Sequence, residues 1–377
     1  MASPPADRMS GIDLSSIRKM FELAGKNAIS FGIGEPDAQP PAHAVHAFEE
    51  ALRTGRNKYC PSAGIPELRE ALAAQARERW AECRAFHVVV TVGSTNGLLS
   101  TMLGFLNPGD EVLVPDPGFV LYAPHARLAG AIAVRYPLRM ERGFCPQPED
   151  LEALVTRKTK AIVVNTPSNP TGGVLTERAA DGIAEVARDH GLLVISDEAY
   201  DHFVYGVPHV SMLGRADNLV YLNTFSKTYA MTGWRLGWAV ATRENADVLK
   251  RVNYHMVASP PTPTQYGALA ALTGPQDFVK TMVATFRERR DLMVARLREL
   301  PGFKLHEPQG AFYAFPHLDR PEGDEAVAMD LLKRGVVTVP GGAFGPSGKG
   351  FLRFSYATSA DKIARGMDIV AEFANGA

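Results

Sequence analysis

Apolar positions along this chain gather in six short runs, at 88–92, 111–114, 131–136, 161–164, 192–196 and 219–222. The runs are nearly unbroken and rich in β-branched residues, the pattern of strands covered on both faces. Helical spacing of apolar residues marks many of the intervals, including 97–106 and 177–190. Two more helical patterns precede the runs, at 43–54 and 65–82, and Pro66 sits just inside the start of the second. Such alternation predicts an α/β fold, a three-layer sandwich with a mostly parallel central sheet.

The texture changes after Pro275. A long helical pattern at 276–300 is followed by Pro301-Gly302, by strand-like pieces at 311–315, 336–339 and 350–355, and by a last helix at 361–375. These elements read as a smaller α+β domain, completed by N-terminal residues. The N-terminal stretch to Ala42 is irregular, with one helical segment at 15–24. The run Arg287-Glu288-Arg289-Arg290 reads as a solvated helix face.

Polar, turn-forming residues follow directly on four of the strands. The run at 88–92 leads into Gly93-Ser94-Thr95, and the run at 161–164 into Asn165-Thr166-Pro167-Ser168-Asn169-Pro170. The run at 192–196 leads into Asp197 and Tyr200, and the run at 219–222 into Thr224, Ser226 and Lys227. Ligands of open α/β sheets bind beyond the C-terminal ends of the strands, so four separate segments point to one site. Gly93-Ser94-Thr95 stands before a helix, either as an anion-binding turn or as an ordinary N-cap. Asp197 ends a buried strand and needs a positive or hydrogen-bonding partner. Lys227 alone reads as a surface lysine; among four convergent loops it reads as a reactive amine. Arg235 offers a forked cation suited to phosphate. Arg353, in an apolar strand-like stretch, needs an anion, supplied by a protein carboxylate or by a bound substrate.

Composition leaves room for small-molecule chemistry and little else. The 40 basic and 41 acidic residues nearly cancel, which gives no pull toward nucleic acid or an anionic membrane. Cys60, Cys83 and Cys145 form no C-x-x-C pair and no disulfide framework, a usage compatible with a reducing cytosol. With no apolar leader at the start and no run long enough to span a bilayer, the protein is expected to be cytoplasmic. Gly32-Ile33-Gly34 does not continue into a dinucleotide-binding fingerprint. Thr224 stands where an S-x-x-K hydrolase needs serine. No H-E-x-x-H or clustered cysteine–histidine set suggests a metal, and none is expected.

The chain resembles the fold-type I pyridoxal-phosphate enzymes, specifically the class I/II aminotransferases related to aspartate aminotransferase. The motifs that carry the resemblance run nearly the whole length. They are Gly34-Glu35-Pro36-Asp37, Lys58-Tyr59 with Gly64, the Asn165–Gly172 loop, Ser196-Asp197-Glu198-Ala199-Tyr200, Ser226-Lys227 through Gly233-Trp234-Arg235, and Phe351-Leu352-Arg353-Phe354-Ser355. The resemblance implies that the central sheet carries pyridoxal 5'-phosphate as a Schiff base on Lys227. Asp197 would pair with the ring nitrogen, Asn169 and Tyr200 would bond the ring's phenolic oxygen, and Phe119 would stack on its face. Ser94, Thr95, Thr224, Ser226 and Arg235 would hold the phosphate. Tyr59 would reach the phosphate of a neighbouring subunit's cofactor, implying a homodimer with shared sites. Arg353 would bind the substrate α-carboxylate with help from Asn169 and Gly34, and Ile33 would lie near the substrate side chain.

The implied division is an N-terminal segment (1–45) joining the small domain, a large cofactor-binding domain (46–275) and a small C-terminal domain (276–377). The implied reaction moves an amino group from an L-amino acid to a 2-oxo acid in ping-pong order. A β-lyase, cyclase or other elimination enzyme of the same fold is the alternative. Thr95 replaces the lysine found in some dicarboxylate-specific relatives, so this chain lacks that anchor. A cofactor-sensing regulator would need a DNA-binding module, and no basic helical extension precedes the matching region.

Overall fold

The computed structural model describes residues 4–12, 20, 25 and 27–376. Seven strands form the central sheet: β1 (Val88–Thr91), β2 (Glu111–Asp116), β3 (Ile132–Pro137), β4 (Thr159–Asn165), β5 (Leu193–Asp197), β6 (Leu219–Thr224) and β7 (Gly237–Ala241). Their order is β1-β7-β6-β5-β4-β2-β3. β7 runs antiparallel to both of its neighbours, β1 and β6, and the remaining pairs are parallel. All six expected strands are present, within a few residues of the expected bounds, and β7 is the addition. Being five residues long and close behind a Gly-rich motif, it lacks a distinct run of its own.

Residues alternate across the sheet into two separate apolar layers. Val88, Val90, Ile162 and Val164 pack on one side with Leu68, Leu72 and Ile183. Val89, Val112, Ala161 and Val163 pack on the other with Leu98, Met102 and Leu249. That two-sided burial is what the continuous apolar runs encode, and it makes the three layers. The first layer includes Pro66–Ala76, a helix that stops six residues short of its expected end at 82. Beyond it the chain turns so that the Trp80 ring lies 4.6 Å from that of His87 and Cys83 is buried.

A third apolar cluster joins Phe286, Met293, Phe312, Leu352, Met367 and Val370 to Ile29 and Phe31. Its frame is the long helix Asp277–Arg298, the final helix Ala360–Ala374 and short strands, of which Tyr313–Ala314 pairs with Leu352–Ser355. The N-terminal pair Ile29–Ser30 adds in parallel to Val336–Val337. The helical segment expected at 15–24 falls almost wholly outside the described residues. Two arginines expected on a solvated face are engaged instead. Arg289 makes two hydrogen bonds to Asp37, of 2.7 and 3.0 Å, and Arg290 stacks over the Tyr205 ring. Among the described residues, no helix is long and apolar enough to cross a membrane.

Candidate active site

At the C-terminal ends of the parallel strands lies a cavity of about 200 Å³. Loops after β1, β2, β4, β5 and β6 supply walls, and Gly34 and Arg353 close it from the third apolar cluster's side. Because β7 runs the other way, its beginning lies where its neighbours end, and this places Arg235 at the same edge. Of the residues singled out in the sequence, Gly34, Ser94, Thr95, Phe119, Asn169, Asp197, Tyr200, Thr224, Ser226, Lys227, Arg235 and Arg353 all line this one space.

Asp197 is 7% exposed, and its carboxylate has no cation within ion-pair distance among the described residues. It accepts a 2.8 Å bond from the Tyr122 hydroxyl and a longer one, 3.4 Å, from the Ala199 N–H. Burial dominates these contacts and pushes the carboxyl up to about 6. A buried acid served only by neutral donors fits a ligand that brings its own positive charge. The Lys227 amine donates to the carbonyl of Gly34 at 2.7 Å. Burial lowers its pKa to about 8, partly opposed by Glu35 and reinforced by Arg235 and Arg353. Near neutral pH it is therefore uncharged roughly two orders of magnitude more often than an ordinary lysine, as a nucleophilic amine requires.

Arg353 is 2% exposed, and no carboxylate lies within ion-pair distance of it among the described residues. Its guanidinium donates to Asn169 Oδ1 at 2.9 Å and to the Gly32 carbonyl, while Nε is buried without a partner. The Tyr313 and Phe344 rings flank it, with centroids 4.5 and 4.9 Å away. Of the two anions open in the sequence, a protein carboxylate is thus not the one in place. A cation this buried, with free N–H groups, fits the carboxylate of a bound molecule. Asn169 spends its oxygen on Arg353, which leaves its NH₂ group as a donor; its own backbone N–H is held by Asn165 Oδ1 at 2.9 Å. Tyr200 and Tyr313 share a 2.8 Å hydrogen bond between their hydroxyls.

The anion-binding features gather at the other sheet edge. The helix Gly93–Phe105 begins four residues earlier than expected, so Gly93, Ser94 and Thr95 form its first turn rather than preceding it. No side chain caps it, which leaves the first N–H groups for a ligand. A Cβ at Gly93 would meet the Arg235 guanidinium at 2.6 Å, and one at Gly237 would meet the Ser94 nitrogen at the same distance. Both glycines are therefore needed for the close approach. Arg235 has no carboxylate partner among the described residues and donates to the Thr232 carbonyl. Thr224 and Ser226 present hydroxyls 2.9 Å apart.

Two expected residues lie outside the cavity. Tyr59 is 89% exposed on a segment lying along residues 260–262, where Thr262 donates to the Lys58 carbonyl at 2.7 Å. Ile33 is half-buried beside Gly34 without lining the space. Four wall residues went unassigned in the sequence: Tyr122, Asn165, Ala199 and Tyr313. Asn165 clamps the site, donating to the Asp197 carbonyl at 2.9 Å. The packing around Gly34 makes a prediction. An added Cβ would lie 1.9 Å from the Tyr313 hydroxyl, which Tyr200 holds in place. Gly34→Ala should lower stability by about 1–3 kcal/mol, as overpacking does. A thermal melt matching the unsubstituted protein would show that the loop yields freely.

Comparison with known proteins agrees with this geometry. The family pattern described as aminotransferase class I and II matches residues 26–370. An aspartate aminotransferase from Pyrococcus horikoshii is 39% identical, over 98% of this chain and 97% of its own. An aromatic-amino-acid aminotransferase from Thermococcus litoralis is also 39% identical, over 96% of both. The solved structure of an alanine aminotransferase from Pyrococcus furiosus superposes with a TM-score of 0.95 at 31% identity, covering 99% of this chain and all of that one. These relatives are transferases, which favours amino transfer over elimination. With its sheet, its cavity and its motifs all accounted for on that pattern, the chain belongs to the aminotransferase class I and II family and is an aminotransferase.

Proposed function

We propose that the cavity holds pyridoxal 5'-phosphate, bonded through Lys227, and moves the amino group of an L-amino acid to a 2-oxo acid in ping-pong order. The observation that carries this reading is one small space with a lysine of lowered pKa and, among the described residues, a buried acid lacking a cation and two arginines lacking carboxylates. When bound, the cofactor supplies an aldehyde for an amine and a ring that draws electrons from the substrate α-carbon. The first-turn N–H groups of Ser94 and Thr95, the Thr224 and Ser226 hydroxyls and Arg235 suit its phosphate. Asp197 would keep a proton on the ring nitrogen. Tyr200 and the Asn169 NH₂ group would donate to the phenolic oxygen, and Phe119 would cover the ring.

Arg353 grips the substrate α-carboxylate and orients the Cα–H bond, and Lys227 Nζ, once the substrate amine has displaced it as a free amine, would take that proton and return it to the cofactor's former aldehyde carbon. Gly34 and Asn169 complete the carboxylate's surroundings, and Ile33 borders the side chain. The relatives named for aspartate, aromatic amino acids and alanine share only the α-amino acid portion, and that is the portion this cavity recognises. Exposed Tyr59, with Tyr254 and Met256 at 55% and 38% exposure, supports a homodimer in which Tyr59 serves the neighbouring site. The third apolar cluster, which packs Ile29 and Phe31 with Met293, Met367 and Val370, supports the joining of the N-terminal segment to the small domain in a division into residues 1–45, 46–275 and 276–377, and the cysteine usage supports a cytoplasmic location.

The test is direct. Protein purified with pyridoxal phosphate is reduced with borohydride, digested and mapped by mass spectrometry. A single modified peptide carrying Lys227 is expected, with 2-oxo acid released by an amino donor and no ammonia. Modification at any other lysine, or ammonia in step with the oxo acid, overturns the reading.

A further inference from the structure

Tyr313 touches three parts of the cleft at once. Its hydroxyl lies 2.8 Å from that of Tyr200. Its ring face lies 4.5 Å beneath the Arg353 guanidinium. Its Oη also abuts Gly34, whose carbonyl receives the Lys227 amine. The side chain is 1% exposed, and Phe312 and Tyr200 pack against its ring at centroid distances of 5.0 and 5.7 Å. It is held, and it has nowhere to move.

A phenol has one proton to give. If Tyr200 spends its proton on the cofactor's phenolic oxygen, the hydroxyl pair survives only with Tyr313 as donor and Tyr200 as acceptor. Accepting that bond makes Tyr200 a stronger donor, because hydrogen bonds in a chain polarise one another. The cation above the Tyr313 ring draws electron density from it and favours the donating role. A carboxylate bound at Arg353 offsets that charge and weakens the chain. The charged groups facing the pair are Arg353 and Asp197, with Lys227 on the same cavity.

We infer that Tyr313 is a positioning residue that sets the donor strength of Tyr200 and couples it to occupancy of Arg353. The inference rests on the cofactor reading above and adds a regulatory link inside the site. Its readout is the visible absorption of the holoenzyme, titrated with pH, because a stronger donor at the phenolic oxygen lowers the pKa of the cofactor–lysine chromophore. Tyr313→Phe, which removes one oxygen and keeps the ring, should raise that pKa by about half to one unit. A saturating monocarboxylate such as propionate should raise it in the unsubstituted protein and by less in Tyr313→Phe. In a Tyr200→Phe background the added Tyr313→Phe change should have almost no effect.

The outcomes separate cleanly. No pH-dependent chromophore in the unsubstituted holoenzyme means the cofactor reading itself has failed, and this inference with it. A chromophore whose pKa moves with Tyr200→Phe but not with Tyr313→Phe overturns the inference alone. So does a Tyr313→Phe shift that persists undiminished without the Tyr200 hydroxyl. Should the single variant fold poorly, the propionate shift in the unsubstituted and Tyr200→Phe holoenzymes decides. Equal shifts in the two refute the coupling, and a smaller one in Tyr200→Phe upholds it.

Discussion

Lys227→Ala should lower turnover on the order of 10⁴-fold, because one substitution removes both the proposed nucleophile and the proposed proton carrier. The residues proposed to hold the phosphate, with Asp197 and Arg353, remain, so noncovalent cofactor binding should survive, visible as absorbance of the free aldehyde. The same substitution should also change how the cofactor-free protein responds to pH. Folding lowers the amine's pKa from 10.5 to about 8. Between those values the unfolded chain binds more protons than the native one, so stability rises with pH across that window. Below about pH 8 the native state carries the full cost of a charged, buried amine. Lys227→Ala should therefore melt higher than the unsubstituted cofactor-free protein at pH 7, with the gap closing toward pH 10. Near-normal turnover in this variant, or a gap that does not depend on pH, would remove Lys227 from its role.

Asp197→Ala should weaken cofactor binding by about 10²- to 10³-fold, the loss expected when one partner of a buried charge pair is deleted. Proton removal from the donor should slow as well, seen as an enlarged isotope effect with α-deuterated donor. A carboxylate kept for a ligand differs from one kept for the fold in the sign of its effect on the cofactor-free protein. Folding raises this carboxyl from 3.8 to about 6. Its native state holds the proton more tightly than the unfolded chain, so stability falls as pH climbs between those values and the penalty is complete above pH 6. Asp197→Asn keeps an acceptor for Tyr122 and carries no charge. It should raise the melting temperature of the cofactor-free protein at pH 7 and lower that of the holoenzyme. A drop in both would make Asp197 a structural residue.

Much of this site could be read from the sequence, because its chemistry sits in short motifs directly behind recognisable strands. Asp197, Lys227 and Asn169 each follow an apolar run, and strand ends in an α/β sheet converge. What escaped depends on contacts between distant parts of the chain. Tyr122 meets Asp197 across 75 positions and Tyr313 meets Tyr200 across 113, and neither tyrosine carries a local mark. The rule that found the other loops extends to Tyr122, which follows β2 just as Asn169 follows β4. For Arg353 the sequence left two anions open, and only the three-dimensional surroundings distinguish them. On the face at 287–290, Arg287 and Glu288 are exposed as expected; the engagement of Arg289 was missed for the same reason, since its partner Asp37 lies 252 residues away.

The bond from Arg353 to the Gly32 carbonyl closes a loop of 321 positions. Local elements can form while the chain is still growing, but contacts this remote cannot precede their later member. Between the making of Lys227 and that of Arg353, a nascent polypeptide thus carries the sheet's amine and acid without the arginine, and the proposed grip on amino acids arrives only with the strand Leu352–Ser355. On that reading, pyridoxal phosphate supplied during translation would meet Lys227 before any amino acid could meet Arg353.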